Sequence, residues 1–318
     1  MVQIFFVKGS KVRSLKSNNI AIQKLLTNED IANIRIQAGQ LLSSSNSQHP
    51  LNSHQAGWLS TNTLGSGMDY AESRVYQQGD DLRNINWRLS ARSTQTFVKT
   101  YHMESRPKLC IVLDQRRQMI FGTKKRLKIT QALRLACLLI FVAEQYQLSV
   151  DICLINSDIQ WLEDQDIESF LQVTNHAHLP EAPQNQATLQ TAFTRLKQQL
   201  SEGDFIYLIS DFVDINEQDK KPLVQLQAQY FMQALHIVDS AEQALPKNLG
   251  QLSFQAMNKE EAIISLNLNK QNQREAINKK MAQHLENIET MFIQSAIHYA
   301  KIMTDEDDIY SALLLPLE

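Results

Sequence analysis

Beyond Pro107 the apolar residues fall into short runs that alternate with longer periodic stretches. Residues 108–113 (KLCIVL) form a β-rich run, and 124–147 is apolar-periodic with no Gly or Pro, which predicts a strand followed by a helix. A second strand is expected over 149–155. After a looser, partly helical stretch from Trp161 and a Pro-containing loop, a helix is expected over 188–200. Residues 205–210 (FIYLIS) read as a buried strand, a polar helical stretch follows, and 233–238 reads as another strand. Toward the end, 251–257 and 263–268 predict two short edge strands and 271–304 one long helix. Alternation at these lengths predicts an α/β fold with a doubly wound, mostly parallel, Rossmann-like sheet.

The first hundred residues are less regular. Residues 20–42 predict one or two amphipathic helices, and 43–63, rich in Ser, Asn, Gln and His, predicts a loop. No internal repeat is visible. The expected organisation is an N-terminal helical piece and polar loop (1–64), a distinctive segment packed on the main domain (65–106), and the α/β domain with its C-terminal helix (107–318).

Composition adds mainly exclusions. A net charge of -3, with 43% hydrophobic and 20% charged residues, is ordinary for a folded chain and offers no overall attraction to nucleic acid or anionic membranes. The N-terminus makes a poor signal peptide. The most apolar stretch, 135–143, is far shorter than the roughly 20 residues needed to cross a bilayer. Cys110, Cys137 and Cys153 sit inside apolar runs without metal-type spacing, as small core residues do in a reducing compartment. The expectation is a cytoplasmic protein with no membrane insertion.

In open parallel sheets the functional loops lie at the carboxyl ends of the strands. Asp114 closes one predicted strand and Asp211 another, so two carboxylates are expected to share a site. Either could instead cap a helix. Between residues 65 and 106, six basic residues (Arg74, Arg83, Arg88, Arg92, Lys99, Arg106) face five acids (Asp69, Glu72, Asp80, Asp81, Glu104). That balance predicts an internal salt-bridge network rather than a phosphate-binding face. Gln78, Gly79, Asp80 and Asp81 predict a turn and Trp87 a core anchor. A returning strand over 96–103 would make the segment hairpin-like. His176 and His178 have no third ligand nearby and predict a solvated loop.

The run RVYQQGDDLRNINWRLSAR, followed by FVKTYHMES and LCIVLD, resembles the signature of the bacterial family catalogued as domain of unknown function fifty-eight. It carries Arg74, Tyr76, Gly79, Asp80, Asp81, Arg83, Trp87 and Arg92. The resemblance continues through LISDF and HIVDSAEQALP. It implies a von Willebrand factor A-like fold, no established catalysis, and work beside a MoxR-type AAA+ ATPase in a chaperone-like or maturation system. It also implies a metal-ion-dependent adhesion site, with an Asp-x-Ser-x-Ser loop, a later Thr and a further Asp around a divalent cation. Here Asp114, Thr188 and Asp211 match, but Arg116 and Gln118 stand at the two serine positions. The expectation is therefore a degenerate site without metal or cofactor, in which the Arg116 guanidinium reaches Asp114 or Asp211, with Arg117 as the fallback.

The function expected is that of a non-enzymatic protein-interaction module, an adaptor or scaffold. The alternatives are a hydrolase using Asp114 and Asp211 as paired carboxylates, and nucleic-acid binding through the Arg74–Arg106 segment. The chain has no Gly-rich phosphate loop, Ser elbow or H-E-x-x-H helix to favour the first, and balanced acids disfavour the second.

Overall fold

The computed structural model describes residues 2–3, 24–44, 69–77, 82–102, 107–175, 187–245, 251–256, 263–267 and 271–313. In chain order the strands are β1 (Val2–Gln3), β2 (Asp69–Val75), β3 (Phe97–His102), β4 (Leu109–Asp114), β5 (Val150–Ile155), β6 (Ile159–Leu162), β7 (Phe205–Ser210), β8 (Phe231–Val238), β9 (Gln251–Ala256), β10 (Ile263–Asn267) and β11 (His298–Met303). The chain divides into two compact units. Residues 1–51 join 107–318 in one, and 52–106 form the other.

In the larger unit a six-stranded sheet runs in the order β11-β8-β7-β4-β5-β6. All neighbours are parallel except β6, which returns antiparallel to β5. Strand side chains alternate between two cores, as the period of two requires. Leu109, Ile111 and Leu113 of β4 pack with the helix Lys128–Gln145 on one face. Cys110 and Val112 pack on the other face with residues of the helices Leu189–Gln199, Lys220–Gln227 and Gln271–Gln294. Every residue of β4 is buried, and β7, its neighbour, is buried apart from a half-covered Tyr207. Burial on both faces is why these strands read as unbroken apolar runs.

The helix Lys128–Gln145 is buried on nearly all sides. The sheet covers one face, and the helix Asn28–Ser44 packs on another through Ile34 and Ala38, with Leu26 just ahead of it in the same core. Asn175 fixes that entry: its Oδ1 accepts from the Leu26 amide at 2.7 Å and its Nδ2 donates to the Leu26 carbonyl at 3.1 Å. The N-terminal helix is thus part of the main domain. The expected division set 1–64 apart from the α/β domain; among the described residues of that stretch, Leu26, Ile34 and Ala38 have their partners in the core of the larger unit.

Three further expectations change. The helix predicted over 271–304 ends at Gln294, and His298–Met303 becomes β11, an outer strand of the main sheet. Ala296 turns the chain at a left-handed φ of 56°, and the Ile297 amide reaches back to the Phe292 carbonyl at 3.0 Å, which closes the helix. Second, β9 and β10 are not edges of the main sheet; they pair antiparallel in a separate sheet with β1. Third, β6 occupies part of the stretch from Trp161 that read as partly helical, ahead of the helix Ile167–Thr174.

The smaller unit is a hairpin-like pair, β2 antiparallel to β3, with an irregular register between Tyr70 and Glu72. Ile85 bridges to Val98, and both are buried. Asn86 caps the short helix Trp87–Ser90 by accepting from the Leu89 amide at 3.2 Å, and it donates to Ser73 Oγ at 2.9 Å. Among the described residues, no helix is long and apolar enough to cross a membrane.

Candidate functional site: a charge-filled rim at the sheet's carboxyl edge

The order of the sheet reverses at β4, which has β5 on one side and β7 on the other. Loops leaving β4 and β7 therefore diverge at their carboxyl ends, the place where open sheets build sites. Asp114 is the last residue of β4 and is fully buried, and Asp211 directly follows β7, also buried. Between them Ser210 donates its hydroxyl to Asp114 Oδ2 at 2.6 Å.

Arg116, buried in the β4 loop, turns back onto Asp114. Its Nε lies 3.0 Å from Oδ1 and its Nη2 2.7 Å from Oδ2, while its own amide donates to Oδ1 at 2.9 Å. The other side of the fork meets Asp214 in a second two-point pair, Nη1 to Oδ2 at 2.6 Å and Nη2 to Oδ1 at 2.9 Å. Nη1 also reaches the Ala187 carbonyl at 3.3 Å. All five N–H bonds of a guanidinium are thereby used. The paired carboxylates raise the Arg116 pKa further above its already high ordinary value, overcoming the opposing effect of burial. The Gln118 amide packs alongside; with its oxygen facing the guanidinium it accepts from Nε at 3.0 Å.

Asp211 has a different cation. Lys128, at the start of its helix, lies with Nζ 3.3 Å from Asp211 Oδ2 and also binds Glu242 Oε1. Burial pushes Asp211 up to about 6 despite that ammonium, and the two acids hold Lys128 above its ordinary value. Glu242 Oε2 accepts from the Asp239 amide at 2.9 Å. Asp239, which follows β8, receives the Thr123 amide at 3.0 Å, the Ala241 amide at 3.0 Å and the Thr304 hydroxyl at 2.7 Å. One carboxylate thus joins the loops after β4, β8 and β11. Behind it, His236 is fixed to the Tyr299 hydroxyl at 2.7 Å, and desolvation drives its pKa well below the ordinary value, so the ring is neutral.

The geometry sorts the sequence candidates. Arg116 meets Asp114 and not Asp211, whose partner is Lys128; Arg117 is exposed. Thr188 stands on the adjoining loop but is exposed, and its hydroxyl caps the helix Leu189–Gln199 by accepting from the Thr191 amide at 3.3 Å. Asp214 and Lys128 escaped sequence reasoning; Glu242 lies in the run HIVDSAEQALP, but its pairing with Lys128 did not show there. Asp214 lies three residues past the strand that carried Asp211, and its place against Arg116 depends on a non-glycine left-handed turn at Phe212 (φ 50°).

In the smaller unit Trp87 is 69% exposed, so its expected role as a core anchor is corrected; Ile85 and Val98 fill that core. Arg74 and Tyr76 are half-buried, with Arg74 Nη1 3.4 Å from the Val75 carbonyl and the Tyr76 amide donating to the Thr96 carbonyl at 2.8 Å. Arg83 and Arg92 are exposed. Gly79, Asp80 and Asp81, with the ion pairs expected of them, lie outside the described residues, as do His176 and His178.

The chemistry of this donor set does not suit a hard divalent ion. Such an ion needs carboxylate and hydroxyl oxygens free to face it. Here the Asp114 oxygens are committed to N–H and O–H donors, and a permanent cation lies between Asp114 and Asp214. Among the described residues no three or more His, Cys, Asp or Glu side chains are grouped to hold a metal.

Comparison with known proteins places the chain. It is 36% identical over 59 residues to the uncharacterized protein Rv1480 of Mycobacterium tuberculosis, and equally to the uncharacterized protein Mb1516 of Mycobacterium bovis. In each case the match spans 19% of this chain and 19% of the relative's length. Among solved structures it is similar to the conserved hypothetical protein BatB from Bacteroides thetaiotaomicron, at 13% identity and a TM-score of 0.38, over 65% of this chain and 95% of that one. The profile of the family described as Protein of unknown function DUF58 matches residues 72–287, more than half of the sequence, and the chain belongs to that family.

Proposed function

We propose that this protein is a non-enzymatic interaction module with a von Willebrand factor A-like fold, and that it binds a protein partner through the loops at the carboxyl edge of its sheet. One observation carries the reading: the two carboxylates that could do acid–base chemistry at that edge, Asp114 and Asp211, are engaged by groups of the chain itself. A general base needs an oxygen within reach of the proton it takes. Asp114 is fully buried and accepts from the Arg116 amide, the Arg116 side chain and Ser210; Asp211 is buried against Lys128. A paired-carboxylate hydrolase therefore has little support here. What the rim does offer is several loops tied together by buried charge, a preorganised surface that loses little entropy on binding.

In this reading Asp114, Arg116, Gln118, Thr188 and Asp211 are the remains of a metal-dependent adhesion site in which Arg116 replaces the ion. The partner class that fits is a MoxR-type AAA+ ATPase or its client, in the cytoplasm. Affinity capture of the tagged full chain from its native cytoplasm, with and without ATP, tests this. Enrichment of one AAA+ ATPase that depends on nucleotide is expected, and Arg116→Gln should weaken it. Equal recovery of such an ATPase by the tagged chain and by an unrelated bait would overturn the assignment.

A further inference from the structure

We infer that Arg116 and the start of the helix Leu189–Gln199 form a carboxylate-binding site that the chain fills with its own Asp214. This deepens the reading of the rim as the interaction face by naming the chemistry it would take. The binding half of the site is rigid. The guanidinium is buried, and Asp114 holds it from behind at two points, 3.0 and 2.7 Å. Its outer edge presents two parallel N–H bonds, the geometry that suits a carboxylate. Alongside, the Leu189 amide, at the first turn of an eleven-residue helix, lies 3.5 Å from Asp214 Oδ2. Unpaired amides and the helix dipole favour an anion at that point.

The occupant differs from the site that holds it. Asp114 is wholly buried at the end of a central strand, whereas the Asp214 side chain is 28% exposed on the loop that leaves β7. That loop passes through Phe212 in the left-handed region, a conformation disfavoured for a bulky aromatic residue. The Phe212 ring is nevertheless locked against Phe292 and His236, with centroids 4.7 and 5.6 Å away. Asp214 is therefore a tethered competitor: a carboxylate on a ligand must displace a group already present at a high effective concentration. An acidic side chain or a chain terminus of a partner would enter only by taking the place of Asp214, so the site is closed by default.

Sodium acetate is the probe, compared with sodium chloride at equal ionic strength on the full chain. In Asp214→Ala two guanidinium N–H bonds lose their acceptor. Acetate should then raise the melting temperature by roughly 2–4 °C more than chloride does, saturably. Its dissociation constant should be at least about tenfold lower than in the wild-type chain, where Asp214 competes. The double variant Asp214→Ala with Arg116→Gln should respond alike to both salts. Were Asp214→Ala unable to fold, Asp214→Asn, which keeps the size of the side chain and removes its charge, gives the same readout. Equal response of the single variant to both salts, or an acetate response that survives in the double variant, would refute the inference. No partner is needed, so failure here is separable from failure of the capture experiment.

Discussion

Arg116 shows how far a single residue can be argued. The sequence puts a cation where a serine hydroxyl was expected, and two buried carboxylates without a counter-charge would oppose folding. The structure answers with two cations, Arg116 on Asp114 and Lys128 on Asp211. Removing one partner of a buried pair strands the other, at a cost of about 3–5 kcal/mol. Arg116→Ala should therefore lower stability to chemical denaturant by about that much, whereas the exposed Arg117→Ala should change it by less than about 0.5 kcal/mol. Equal losses would mean that the fork is not what holds the rim.

Asp211 gives a pH test with a definite sign. Its folded pKa is raised to about 6, above the ordinary 3.8, because burial penalises the charged form more than Lys128 favours it. The folded state then prefers the protonated acid, so this residue's contribution is fully present below pH 3.8 and is lost as pH rises through about 6. At about 1.4 kcal/mol per pKa unit the loss amounts to about 3 kcal/mol. Unfolding free energies measured from pH 4 to 8 should fall for the wild type relative to Asp211→Asn, and parallel curves would contradict the assignment. None of this was readable in sequence, because Lys128 reaches Asp211 across 83 residues of chain. Asp114 and Asp211 were readable because each ends a recognisable apolar run. Arg116 was readable because it breaks an expected local pattern.

At the scale of elements, legibility followed burial. Strands covered on both faces, β4 and β7, betray themselves as apolar runs, whereas their adjacency is visible only in the sheet order. The outermost strand did not. The run SAIHYAKIM continues a helical stretch with no Gly or Pro to stop it, and the turn is made by Ala296 at a positive φ. A glycine there would have announced the boundary. The exposed Ala296 carries a conformational cost that glycine avoids, so Ala296→Gly should stabilise the protein by about 0.5–1 kcal/mol, read as a higher denaturant midpoint with an unchanged slope. A glycine in the β4 loop is placed oppositely. A Cβ on Gly122 would come within 2.2 Å of the Arg126 carbonyl oxygen, backbone that cannot swing aside. Gly122→Ala should cost about 1–3 kcal/mol by forcing that loop apart, and it should disturb the Thr123 contact to Asp239.

At the scale of the whole molecule, the sequence places a boundary near residue 65, after an N-terminal helical piece and a polar loop. Composition could locate the polar stretch over 43–63 but not the partners of the residues before it. Hydrophobic pattern says that a face is buried, and only tertiary contacts say against what. The helix Asn28–Ser44 completes the burial of the helix Lys128–Gln145, which already lies on the sheet that carries the rim. The N-terminal helix should therefore unfold together with β4, and residues of 52–106 should not, since their small core of Ile85 and Val98 belongs to another unit. Truncating a buried isoleucine costs about 2–5 kcal/mol, and within one cooperative unit that loss is shared by every amide that exchanges through global opening. Native-state hydrogen exchange on Ile34→Ala should thus show β4 and β7 amides losing protection by the amount that the equilibrium stability falls. On Val98→Ala the same strands should keep theirs while β2 and β3 exchange faster. If Ile34→Ala speeds exchange only within 28–44, the N-terminal helix is a detachable layer that does not share the cooperative unit of β4.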